Sequence, residues 1–211
     1  MLVSTMSLTE MRDECLKELQ HYINVAFIKY KSQINFREKK LEKDFIFKTK
    51  RNNNLFIRIK FIINDNGIPT LLSYPYFWYY DDKGVAILAI HDDTAIFVYR
   101  GHVIKRIIER FRLSYKPEVL IRNLIKLTIT KDGSASDIND EFECHIVNKH
   151  GVFYYKITEP GFLIAKTFIS REMFFPEQVI QFKKEEEQFI EEINNMSEEE
   201  YQEMRREMGY L

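Results

Sequence analysis

His102, Arg106 and Arg110 stand four residues apart in the stretch YRGHVIKRIIERF. On a helix each step of four advances the side chain by about 40°, so all three share one flank. An imidazole beside two permanent guanidinium charges suits a phosphate group. Cleavage of an RNA phosphodiester needs a group that moves a proton at the 2′-OH or the leaving oxygen, and cations that stabilise charge on phosphorus. Histidine fits the first task and the fixed fork of arginine the second. His102 is thus the candidate proton-transfer group and Arg106 and Arg110 the candidate phosphate clamps, with Lys105 and Arg112 as further nucleic-acid contacts. The same spacing also describes the solvated side of an amphipathic helix, with Glu109 pairing to one arginine.

A second candidate is the run Tyr74-Pro-Tyr-Phe-Trp-Tyr-Tyr80. In a strand, period two puts Tyr74, Tyr76, Trp78 and Tyr80 on one face, where aromatic rings can stack on bases. Tyr76 and Trp78 are the expected stacking residues. Aromatics are also favoured strand residues that pack against a neighbouring layer. His91-Asp92-Asp93 reads as a turn, because adjacent residues there seldom converge on one ion. His145 beside Cys144 has no partner at zinc-ligand spacing. The chain carries no glycine-rich phosphate loop, no G-x-S-x-G elbow and no H-E-x-x-H motif. No metal and no cofactor are expected.

The elements that must hold these residues follow from periodicity. Ser7 with Glu10 forms a capping box, and Leu8, Met11, Cys15, Leu19, Ile23, Ala26 and Tyr30 have helical spacing, predicting a helix over 7–33. Five strands in a meander are expected over 45–100. They are separated by Lys50–Asn54, Asn64–Gly67, Asp81–Gly84 and His91–Asp93. Gly101 ends that pattern. Ile104, Ile107, Ile108 and Phe111 then form an apolar stripe at i, i+3, i+4, i+7. Pro117 opens a second helix to about Leu127. KDGSASDINDE reads as a polar loop, and three strands follow at Glu143–Asn148, Val152–Ile157 and Phe162–Ile169. Pro176–Asn195 reads as a helix, and Ser197 with Glu200 opens a short one after it. The expected class is α+β, with mainly antiparallel sheet. A single domain covers 1–175, in which 102–172 is a helix-helix-three-strand module, and an acidic helical tail covers 176–211.

One helix with His102-Val-Ile-Lys-Arg106-Ile-Ile-Glu-Arg110, a second over 117–127, and a strand carrying Ala165-Lys-Thr167-Phe168 resemble the barnase-like and RelE-like toxin ribonucleases. The resemblance spans residues 95–172. It implies an α+β nuclease module that needs no metal, with His102, Arg106, Arg110 and Thr167 at its site and Thr167 as an auxiliary hydrogen-bond donor. Those toxins are usually small, whereas this chain adds five strands before the module and an acidic tail after it. The first half is also similar to uncharacterised proteins of gut-type bacteria and their mobile elements, a likeness that carries no function with it.

Charge is unevenly distributed. The chain of 211 residues has a formal net charge of −1, yet residues 185–211 hold ten Glu against Arg205 and Arg206, which leaves +7 for residues 1–184. Eleven basic residues lie between Lys29 and Lys60 and nine between Arg100 and Lys131. A basic body attracts polyanions. Ordinary solvated faces look the same in sequence. The longest purely apolar run, Val85–Ile90, is far short of the roughly 20 residues of a membrane-spanning helix. With no signal-peptide pattern and only Cys15 and Cys144, the expected compartment is the cytoplasm. The leading expectation is a nucleic-acid-directed protein, most sharply a ribonuclease. The other is a non-enzymatic assembly protein of a phage or bacterial mobile element, meeting a protein partner through its aromatic strands or acidic C-terminal helix. Neither involves a membrane.

Overall fold

Runs of largely apolar residues between 42 and 99 form five antiparallel strands: β1 (Glu42–Lys48), β2 (Asn54–Ile63), β3 (Pro69–Asp81), β4 (Gly84–Ile90) and β5 (Ile96–Tyr99). They come from a computed structural model. It describes residues 1–33, 42–63, 69–91, 95–128, 134–139, 143–148, 150–159 and 161–177, with isolated positions beyond. Each strand pairs with the next, for example Phe45 with Ile57, Phe56 with Tyr76, and Trp78 with Ile87. The β1–β2 turn is closed by Asn52, whose φ of 62° is one that asparagine tolerates better than most residues. Across it, the Thr49 N–H donates to the Asn53 carbonyl at 2.9 Å, and the Asn53 N–H donates to Thr49 Oγ1 at 3.0 Å.

Helix α1 (Leu8–Gln33) begins at the expected capping box, where the Glu10 N–H donates to Ser7 Oγ at 3.2 Å. Its buried residues Met11, Cys15, Leu19, Ala26 and Tyr30 pack with Leu55, Ile57, Ile59, Phe77, Tyr79 and Leu88, alternate positions on one face of the sheet. The intervening positions Phe56, Tyr76, Trp78, Ile87 and Tyr99 are buried as well. Period two places them on the other face. Helix α2 (Gly101–Phe111) packs against β4. Helix α3 (Pro117–Thr128) reaches the same face, with the Arg122 guanidinium 5.9 Å over the Phe56 ring. A sheet covered on both faces explains why these strands are apolar almost throughout rather than strictly alternating.

Four further strands follow among the described residues: β6 (Ser134–Asn139), β7 (Glu143–Asn148), β8 (Gly151–Glu159) and β9 (Phe162–Ser170), with a 3-10 turn at Arg171–Met173. Strand β6 corrects the loop expected over KDGSASDINDE. Its residues have little intrinsic strand preference, and pairing with β7 (Ser134 with Val147, Ala135 with Ile146) overrides it.

Two compact units result: Met1–Asn123 with Ile157–Ala165, and Leu124–Lys156 with Lys166–Leu211. In the first unit β9 starts as the partner of β5, in parallel, with Ile96 opposite Phe162. In the second, β6, β7 and β8 form an antiparallel set, and Phe153 lies 4.6 Å from Phe168 between ring centroids. Most of the expected helix from Pro176, and Glu200 of the expected Ser197–Glu200 capping box, lie outside the described residues.

Candidate nucleic-acid interface

The flank proposed from sequence forms on α2 because the chain turns sharply out of β5. Arg100 is still extended, with φ −136° and ψ 159°. Gly101 then adopts φ +50°, a left-handed conformation that costs glycine little. Val103, Ile104, Ile107 and Ile108 turn inward and are buried. That stripe fixes the helix rotation and leaves the opposite side to His102, Lys105 and Arg106, which are exposed, and to Arg110, which is half-buried. The helix ends at Arg112, exposed and left-handed with φ 49°, whose N–H donates to the Ile108 carbonyl.

Along the flank the electrostatics are those of crowded cations. Lys105 and Glu109, one turn apart, approach to 3.8 Å, both well exposed. The Arg110 guanidinium is held below its ordinary range, first by partial burial and then by repulsion from Arg106, with Glu109 opposing. Like charges one turn apart destabilise a helix by a few tenths of a kcal/mol. An anionic group placed between them relieves that repulsion.

The structure gathers His102, Lys105, Arg106, Arg110 and Arg112 on one helix. The other sequence candidates lie elsewhere. Thr167 is half-buried on β9 in the second unit, beside the buried Phe168. Tyr76 and Trp78 are 4% and 6% exposed. Their expected role as stacking residues is corrected: on the sheet face that carries α2 and α3 their rings have become core. Phe56 meets Tyr76 edge-on at 6.5 Å. Among the described residues the exposed aromatics are Tyr80 (64%) and Tyr115 (67%) in the first unit and Phe175 (68%) in the second. The turn sequence Arg112-Leu-Ser-Tyr-Lys116 is a legible signal for the second of these, since a large ring between two cations just before Pro117 has no stripe to join.

Two polar clusters also went unread. Glu14 on α1 is buried and accepts from Arg51 Nε at 2.9 Å, Asn53 Nδ2 at 3.2 Å and the Met1 amino group at 2.6 Å. Arg51 chiefly pulls its pKa down to about 2, against the effect of burial. Asp44 accepts from both Arg58 and Arg122. Burial acts against its ionisation, but the two guanidinium groups prevail and its pKa is lowered. The Cys15 thiol is fully buried and pushed far above its ordinary range by that burial and by the Glu14 charge, which removes it as a nucleophile.

Among the described residues no group of three or more His, Cys, Asp or Glu is placed to hold a metal ion. Of the run His91-Asp92-Asp93, both aspartates lie outside the described residues. No described helix is long and apolar enough to cross a membrane. No protein-family model, curated protein or solved structure matches this chain.

Proposed function

We propose that this protein acts on nucleic acid, using the exposed flank of α2 to hold the sugar–phosphate backbone. One observation carries this reading: Arg106 and Arg110 lie one turn apart on the side of α2 away from its buried stripe, with Lys105 on the same side and Arg112 at the helix end. Phosphate contacts of this kind supply affinity and orientation without reading sequence. His102 lies one turn before Arg106 on the same flank. If the bound strand is RNA, this imidazole takes the proton from the 2′-OH, whose oxygen attacks phosphorus while the bond to the 5′-oxygen breaks. Water protonates that leaving oxygen, and the products are a 2′,3′-cyclic phosphate and a 5′-hydroxyl. The arginines neutralise the charge that builds on the non-bridging oxygens.

The test is fluorescence anisotropy with labelled oligonucleotides at rising salt, combined with gel analysis of RNA integrity in the presence of a chelator. The expected result is salt-sensitive binding that the double variant Arg106→Glu/Arg110→Glu abolishes, and RNA cleavage that His102→Ala abolishes. Absence of binding at low salt defeats the whole reading. Binding without cleavage removes only the nuclease step.

A second reading has its own observation. Met173, Phe175, Val179 and Ile180 are exposed large apolar residues close together in the chain, and clustered exposed hydrophobics mark protein contacts. A protein that binds no nucleic acid but assembles through this segment would lose self-association or partner binding in a Phe175→Ser/Ile180→Ser variant, measured by sedimentation.

A further inference from the structure

Among the described residues two tyrosines, Tyr80 and Tyr115, are exposed, and they flank the basic helix. Tyr80 belongs to the face of β3 that also presents Tyr76 and Trp78, and α2 packs against the neighbouring strand β4. It pairs with Val85 at the end of the β3–β4 hairpin, and the hairpin turn brings the Lys83 side chain against Gly101, at the start of α2. Tyr115 lies just past the other end of α2, between the exposed Arg112 and Lys116. The Lys116 carbonyl accepts the Val119 and Leu120 N–H groups at 3.0 and 3.1 Å, which anchors the turn carrying Tyr115 at the start of α3. An 11-residue helix is about 16 Å long. The order along this edge of the first unit is therefore aromatic, basic helix, aromatic.

Duplex and single strand make different demands on such a surface. A duplex presents phosphates with its bases stacked inside, so exposed rings at the ends of a cationic helix gain nothing from it. A single strand presents phosphates and bare base faces together, and aromatic side chains beside a cationic track hold both. On the proposal that α2 holds a nucleic-acid backbone, we infer that the substrate is single-stranded. A few nucleotides lie along His102–Arg112, with bases stacked on Tyr80 and Tyr115. Both rings are exposed, and neither is needed for the core that Tyr76 and Trp78 fill.

The experiment uses the intact chain and labelled oligouridylate, oligothymidylate and a duplex of equal length, at several salt concentrations. Either single strand should bind at least tenfold more tightly than the duplex. Tyr115→Ala and Tyr80→Ala should each weaken single-strand binding about fivefold to a hundredfold. The slope against salt should stay unchanged, because no phosphate contact is lost. Tyr115→Phe should retain binding, since the ring stacks and the hydroxyl does not. Preference for oligouridylate over oligothymidylate assigns the substrate as RNA through its 2′-OH, and equal affinity assigns single strands of either sugar. If the duplex binds as well as the single strands, or the tyrosine variants bind normally while Arg106→Glu/Arg110→Glu does not, the inference is overturned and the backbone-binding reading stands. If the intact chain binds none of the three, both fall together.

Discussion

Arg122 of α3 donates its Nε–H to Asp44 of β1 at 2.7 Å, onto a carboxylate that Arg58 already holds at 2.7 and 3.0 Å. Residues 78 positions apart in the chain meet there, and the helix is tied to an edge strand by one acid shared between two bases. The bases are not equivalent: the Arg58 side chain is 9% exposed and that of Arg122 44%. Removing the acid from a buried cation is far more costly than removing a solvated partner. Asp44→Asn should therefore cost about 3 kcal/mol of unfolding free energy, and Arg122→Ala less than about 1 kcal/mol. Urea denaturation of the two variants measures the contrast, and equal losses would refute the assignment of the charge pair to Arg58.

Glu14 sets an acid limit on stability. Its folded pKa of about 2 lies well below the ordinary glutamate value, so the stabilisation is complete above that ordinary value and is lost as pH falls toward 2. The contribution is on the order of 2 kcal/mol, given that its chief partner Arg51 is half-exposed. Thermal unfolding between pH 5 and pH 2 should show a steep loss in the native chain. Glu14→Gln should lower the melting temperature at pH 7 and flatten that dependence.

Gly151 opens β8 with φ +154°, and a Cβ there would lie 2.2 Å from the Ile169 carbonyl oxygen. No L side chain fits without moving the backbone of β9. Gly151→Ala should destabilise the second unit by roughly 3 kcal/mol or more from combined strain and displacement. Hydrogen exchange should show faster amides in 151–157. Unchanged protection there would contradict the close approach.

The basic flank makes a quantitative statement about salt. If Arg106 and Arg110 each neutralise one phosphate, the slope of log K against log salt should fall by about 1.4 to 1.8 in the double Ala variant. Melting should fall only modestly, because Arg106 is exposed and Arg110 half-buried on α2. A large drop in melting temperature would assign the pair a structural role instead.

Trp78 tests the correction made to its expected role. Trp78→Ala removes a buried ring and should cost about 3–5 kcal/mol of stability. Tyr115→Ala should change stability by less than about 0.5 kcal/mol, as exposed substitutions usually do. Chemical denaturation of the pair separates core from surface.

The α2 stripe was legible because four apolar residues at helical spacing leave only one rotation for the helix, and that rotation exposes His102 and Arg106. The five-strand meander was legible from its turns. Tyr76 and Trp78 were misassigned because period two shows which residues share a face but not whether another layer covers it. Here α2 and α3 do. Strand β6 escaped because Ser-Ala-Ser-Asp carries no strand pattern of its own and takes its conformation from β7. Asp44, Arg58 and Arg122 were unreadable because their meeting depends on which helix lands beside which strand.

The parallel pairing of Ile96 with Phe162 bears on how the chain can be made and divided. A ribosome releases β1 to β5 as a self-contained meander long before β9 emerges, so the open side of β5 waits through the 62 residues between Tyr99 and Phe162 for its neighbour. An unsheltered strand of Ile96-Phe-Val-Tyr99 composition invites pairing with other chains. Any fragment ending near Asn123 would keep that vulnerability permanently. Aggregation of such a fragment, and its suppression by a synthetic peptide covering 160–168, would mark β9 as the built-in guard of the first unit.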